Sequence, residues 1–148
     1  QKEEALDLYF AKLAKEQSKK VIGLEKMEEQ LAALDGIPYK YQAKMLYETV
    51  LDKSNGVEDS SLDDLFEAYI AGDLELMLTL TNDENEDEKM QILFEELMIN
   101  NRNKIMVARA LPLIKTDKTF IAVGAAHLGG ANGVIQLLRN QGYTVVAK

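Results

Sequence analysis

No cysteine occurs anywhere in the 148 residues, which excludes disulfides, thiolate metal sites and a cysteine nucleophile together. Histidine is nearly as scarce. His127 is the single one, so neither an HExxH helix nor a self-contained histidine-rich zinc site can be built. No apolar run approaches the roughly 20 residues that a bilayer-spanning helix needs, and no transmembrane segment is expected. Basic charge is short as well: 17 Lys and Arg against 25 Asp and Glu leave a net charge of −8. Phosphate neutralisation needs clustered cations, so nucleic acid is not an expected partner. Neither a G-x-G-x-x-G run nor a glycine loop ending in Lys followed by Ser or Thr is present, so no nucleotide is expected. Nothing marks one serine as activated, and no Ser-His-Asp set can be argued.

What charge there is lies unevenly. Residues 1–57 carry 10 acids and 9 bases, residues 58–96 carry 14 acids and 1 base, and residues 97–148 carry 1 acid and 7 bases. The acidic middle reads as a solvated helical face. The basic last third suits either an anionic ligand or docking against acidic helices. The opening "QKEEALDLYF" is charged and amphipathic, unlike a secretory signal. Because residue 1 is Gln, the chain is expected to be processed or to be a piece of something longer. Its length suffices for one domain with a real core, residues 1–148.

The hydrophobic spacing predicts helices over residues 2–20, with Leu6, Tyr9, Phe10 and Leu13 inward, and over 26–36, stopped by Gly36 and Pro38. A third covers 39–53 with Tyr41, Met45, Leu46 and Val50 inward. A fourth follows a Ser60 or Ser61 cap through Leu62, Leu65, Phe66 and Tyr69, and a fifth starts at an Asp73 cap. After a charged loop near residues 82–89, one long helix runs from about Glu88 to Ile114, to be ended or kinked by Pro112. "KKVIGLE" reads as a short buried strand. "TFIAVG", the helix "NGVIQLLRNQ" and "YTVVA" read as a C-terminal βαβ unit with parallel strands. The expected class is therefore α/β: a parallel-strand core with a helix-rich insertion.

Ligands in such a sheet collect beyond the carboxyl ends of the strands. Gly124 and His127 stand at one expected strand end, and Glu25 stands at another. An imidazole can bind metal or move protons near neutral pH, and a carboxylate can ligate, orient the ring or act as base. Local packing of His127 in its loop is the plainer alternative. Gly129, Gly130 and Gly133 would let backbone approach a ligand, or simply make the turn. In "MINNRNKIM", Asn101 falls in line with Leu97 and Ile105, so a buried amide needing a partner is expected there. The neighbouring Arg102 could clamp a carboxylate, or lie on a polar helix surface.

Three segments, "VIGLEKMEEQLAALDGIP", "NRNKIM" and "FIAVGAAHLGGANGVIQLLRNQGYTV", resemble in order and separation those of the TraB/GumN family, which is related to the Tiki proteases and the PrgY pheromone regulators. Gly124 and His127 fill a G-x-x-H motif, Gly23 and Glu25 a "GLE" segment, and Arg102 and Asn103 an Arg-Asn segment. The resemblance implies half of an erythromycin-esterase/ChaN-like fold and metal-dependent peptide hydrolysis at the cell envelope or outside it. His127 and Glu25 would be ligands of a divalent metal, or acid and base. Arg102 and Asn103 would orient substrate, with Gly124, Gly129 and Gly130 beside it. Sequestering a peptide or small ligand without catalysis, and binding haem, are the alternatives. The family also carries an earlier G-x-x-H motif. This chain has no second histidine, so it is expected to be either a degenerate member or, as the Gln1 start favours, a C-terminal half that meets an N-terminal half or self-associates.

Overall fold

The computed structural model describes residues 5–55, 61–81 and 87–147. Eight α-helices are present among them: α1 (Leu6–Glu16), α2 (Met27–Asp35), α3 (Tyr39–Ser54), α4 (Ser61–Ala71), α5 (Leu74–Leu80), α6 (Glu88–Glu95), α7 (Asn101–Thr116) and α8 (Val134–Asn140). No strand occurs among the described residues, which overturns the expected parallel-strand core and C-terminal βαβ unit. The apolar runs at 19–25, 119–124 and 143–147 are there, yet they are irregular. A strand exists only where its N–H and C=O groups meet those of a neighbour. No backbone hydrogen bond runs from one of these segments to another. Arginines take two of their carbonyls instead: Arg109 Nη1 donates to Leu24 O (2.9 Å) and Arg139 Nη2 to Val145 O (2.8 Å).

Side chains from those segments still reach the centre. Leu24, Ile121 and Val123 close around Met106, Val107 and Ala110 of α7 and Val134 and Leu138 of α8. Met106, Val107, Ala110 and Val134 are buried, and this nucleus makes α7 the axis of the molecule. A second small cluster, Ala33, Ile37 and Tyr41, is buried where α2 turns into α3. Burial elsewhere falls short of the stripes expected. Leu6 and Tyr9 of α1, Met45, Leu46 and Val50 of α3, and Leu62, Phe66 and Tyr69 of α4 are exposed. The Ser60 cap and most of the charged loop, residues 82–86, lie outside the described residues. Asp73 does cap α5, its Oδ1 accepting from Leu76 N at 3.0 Å.

The long helix is continuous but not uniform. Between α6 and α7, Glu96–Asn100 forms a single π turn, in which Asn101 N bonds back to Glu96 O. An i→i−5 turn takes in about one more residue than an α turn, so every inward position after it advances. Asn101 and Ile105, expected inward, are exposed, while Asn100, Asn103, Met106, Val107 and Ala110 are buried. Pro112 does not end the helix, which runs on to Thr116.

Candidate functional site

The π turn is what delivers two adjacent residues of α7 to two different partners. Arg102 reaches the turn before α2. Its Nε donates to Glu25 Oε1 at 2.7 Å and its Nη2 to Glu25 Oε2 at 2.8 Å, a bidentate pair. The remaining nitrogen, Nη1, donates to Met98 O at 2.9 Å within the π turn. The pair is largely buried, with side-chain exposures of 16% for Arg102 and 9% for Glu25. The Arg102 guanidinium holds the Glu25 carboxyl below its ordinary range against the opposing effect of burial, and Glu25 raises Arg102 in turn.

Asn103, fully buried, reaches the loop that carries His127. His127 sits in a 3-10 turn, Ala125–His127, closed by its own N–H on Gly124 O at 2.9 Å. The ring Nδ1 lies 2.7 Å from Asn103 Oδ1, and Asn103 Nδ2 donates to Asn132 O at 2.8 Å. A backbone carbonyl only accepts, so the amide nitrogen of Asn103 must face Asn132 and its oxygen must face the ring. The ring nitrogen opposite that oxygen must then carry the proton. In the neutral imidazole, Nδ1 is protonated and Nε2 keeps its lone pair. Burial lowers the affinity of His127 for a second proton, the nearby positive charge of Arg102 lowers it further, and Glu25 opposes both. The ring is therefore neutral at physiological pH and feels both charges of the ion pair.

The glycines of the loop are packed against α5. A Cβ on Gly129 would lie 3.1 Å from Leu78 Cδ1 and 3.2 Å from Leu74 Cβ, and Gly130 adopts φ +77°. Gly133 has the tightest approach, since a Cβ there would lie 2.1 Å from Gly129 O. This close fold of 128–133 sets Asn132 O over Asn103. A Cβ on Gly124 would stand 3.7 Å from the His127 ring, ordinary contact.

Glu25, Arg102, Asn103 and His127 thus belong to one neighbourhood built on α7. Three of its members escaped the sequence reading. Asn132 supplies a backbone oxygen, which no side-chain pattern announces. Glu29 and Arg109 form a second bidentate pair beside the first, and their spacing was a signal: arginines at 102 and 109 repeat along one face of α7, opposite acids at 25, in the turn before α2, and 29, in its first turn. Arg109 holds Glu29 well down, to about 2.

These shifts make stability depend on pH in a definable way. The unfolded chain protonates His127 near its ordinary 6.5, ahead of the folded one, so stability falls as pH drops below that value. Glu25 and Glu29 are depressed in the fold, so their contribution, complete above about 4.5, is lost as pH falls through their folded values. Thermal unfolding of the chain should show a first loss of Tm below about pH 6.5 that His127→Gln abolishes, and a second below about pH 4.5 that it does not. A wild-type Tm that is flat between those values would contradict the assignment of a depressed His127.

A metal is a poor fit to these residues alone. Both Glu25 oxygens already accept from a guanidinium, beside which a divalent cation would be repelled. His127 offers one nitrogen, and among the described residues no group of three or more His, Cys, Asp or Glu side chains converges. Protein metal sites usually supply at least three ligands. No described helix is long and apolar enough to cross a membrane.

The TraB/PrgY/gumN family matches residues 1–147. Among similar curated proteins, Metalloprotease TIKI2 of Xenopus tropicalis is 31% identical over 95% of this chain and 31% of its own length. Metalloprotease TIKI1 of Homo sapiens is 29% identical over 95% of this chain and 32% of its own length. The Metalloprotease TIKI homolog of Nematostella vectensis is 24% identical over 95% and 35%. The chain spans about a third of the length of these relatives. No solved structure matches it significantly.

Proposed function

Because the chain belongs to the TraB/PrgY/gumN family, we propose that it is the C-terminal half of a peptide-hydrolysing domain, working at the cell envelope or outside the cell. Its part in the chemistry is the imidazole of His127. The observation that carries this reading is the Asn103 relay: with Nδ1–H given to Asn103 Oδ1, the unprotonated Nε2 is the reactive atom. A neutral ring with its tautomer fixed from behind is what a general base requires, and it is also how a histidine is prepared to bind a metal.

The relatives named metalloproteases favour a metal in the complete protein. Glu25 and His127 do not form its site by themselves, so the role argued for them is proton transfer and charge. Nε2 takes a proton from the attacking water, and the Glu25–Arg102 pair sets the field in which the ring gains it. Glu25 favours the imidazolium as it forms, while burial, with Arg102 adding to it, keeps the resting ring neutral. Arg102 and Asn103 act on the substrate through these partners, since their own donors already face Glu25, Met98 O and Asn132 O.

His127→Ala in the full-length protein should lower peptide hydrolysis by at least about 100-fold, the range that a lost general base gives. Unchanged turnover would reject the reading. The saturated carboxylate of Glu25 favours one other reading, a module that holds a peptide without cleaving it. Peptide binding that persists in His127→Ala, with no turnover in the wild type, would select that one.

A further inference from the structure

We propose that Glu29 and Arg109 form a bracket that positions Glu25, holding the backbone on both of its flanks so that the carboxylate meets Arg102. On one side, Arg109 Nη1 donates to the carbonyl of Leu24, the residue before Glu25, at 2.9 Å. On the other, the N–H of Lys26, the residue after Glu25, donates to Glu29 Oε2 at 2.8 Å. The two halves are tied to each other by Arg109 Nη1 on Glu29 Oε2 (2.6 Å) and Nη2 on Glu29 Oε1 (2.5 Å).

Among the described residues, Gly23, Leu24 and Glu25 make no backbone–backbone hydrogen bond, so no such bond fixes this turn. Gly23 precedes it, and a residue without a side chain leaves the approach conformationally loose. Without the bracket, the turn would be held by side chains alone: the Glu25–Arg102 pair, Gln30 Nε2 on Glu25 Oε2 at 3.4 Å, and Leu24 packed against α7. The register is matched on both sides. Arginines seven residues apart lie on one stripe of α7, two turns distant, and face one acid in the turn before α2 and one in its first turn. The two rungs differ in kind. The Glu25–Arg102 rung is largely buried, while the side chains of Arg109 and Glu29 are 36% and 29% exposed. An exposed ion pair contributes little stability by itself. What distinguishes this one is the pair of backbone groups that it also holds.

The role of Glu25 in the site rests on the function proposed above, but the bracket is tested without turnover. The chain has only three arginines, Arg102, Arg109 and Arg139, so their Nε–H signals are few and Arg102→Lys assigns one of them. In the wild type the Arg102 Nε–H, bonded to Glu25 Oε1, should exchange slowly with solvent. Arg109→Met and Glu29→Met, which remove the donor and the acceptor outright, should each accelerate that exchange at least about tenfold, as local opening of the turn becomes easier, with the far-UV circular dichroism unchanged.

The reversed pair, Glu29→Arg with Arg109→Glu, separates a bracket from a plain salt bridge. It restores opposite charges, but glutamate at 109 cannot donate to Leu24 O and arginine at 29 cannot accept from Lys26 N. Exchange should therefore remain fast in the reversed pair. Recovery to the wild-type rate, or no acceleration in either single variant, would overturn the proposal. Should Arg109→Met fail to fold, Glu29→Met, which leaves the Arg109 donor to Leu24 O in place, decides alone. Fast exchange in these variants alongside full turnover in His127→Ala would leave the bracket standing and remove the catalytic reading.

Discussion

Replacing Arg102 with alanine is expected to cost about 3 to 5 kcal/mol of folding stability, the penalty of leaving a buried charge without its partner. Glu25 would keep its carboxylate in a site only 9% exposed, with Gln30 Nε2, 3.4 Å away, as its remaining side-chain donor. Met98 O would lose its guanidinium donor in the same step, next to the π turn. The loss should depend on pH in a way that a packing defect would not. Without Arg102 the Glu25 carboxyl rises, because burial is then the larger remaining influence. The carboxyl protonates more readily in the variant, so the gap from the wild type should narrow on acidification. Glu25→Gln combined with Arg102→Met should cost less than Arg102→Ala alone, since no charge is then stranded. Chemical denaturation of the single and double variants across pH reads all of this. An Arg102→Ala loss below about 1 kcal/mol would mean that the pair behaves as a solvated surface bridge.

The second large effect lies one residue along. Asn103→Ala is expected to cost about 2 to 6 kcal/mol, because it orphans two groups, His127 Nδ1–H and Asn132 O, at about 1 to 3 kcal/mol each. Asn103 is fully buried, so water cannot replace it without opening the loop against α5. Asn103→Asp is the more informative change. It keeps an acceptor for the ring but puts a second acceptor against Asn132 O, where a donor stood. The new charge beside the imidazole should raise the pKa of His127 above 6.5, reversing the direction seen in the wild type. Titration of the ring by proton NMR is uncomplicated, since the chain has a single histidine. A His127 pKa that stays low in Asn103→Asp would show that the two side chains are not in contact.

Much of this neighbourhood was legible in the residues, and the illegible parts share a cause. Glu25, Arg102 and His127 could be singled out because each is a polar group set in or beside an apolar run, a placement that needs a partner; Asn103 entered only through the family resemblance, since the spacing pointed to Asn101 as the buried amide. The Asp73 cap was legible because capping is local chemistry. The facing of α7 was not. Asn101 was expected inward by counting from Leu97 at the α-helical period, and the π turn at Glu96–Asn100 moved that place to its neighbours. A single extra residue in one turn leaves no mark in composition.

The βαβ expectation failed for a related reason. "VIGLE", "TFIAVG" and "YTVVA" have the apolar character of strands, and Leu24, Ile121 and Val123 do face the core. Strand formation depends on which backbone comes alongside, a long-range fact that no local spacing encodes. Arg109 and Arg139 took the carbonyls that a neighbouring strand would otherwise have bonded. Likewise, the stripes of α1, α3 and α4 were read correctly as amphipathic, but amphipathicity does not say whether a partner covers the apolar side.

The central claim is that Asn103, fixed by Asn132 O, holds the proton of His127 on Nδ1 and leaves Nε2 as the reactive atom. A long-range proton–nitrogen correlation spectrum of the imidazole near neutral pH tests it most directly, because only one ring contributes. The account predicts one neutral tautomer, protonated on Nδ1, which gives way to an averaged pattern in Asn103→Ala. A ring protonated on Nε2, or one that averages both tautomers in the wild type as free imidazole does, would contradict it.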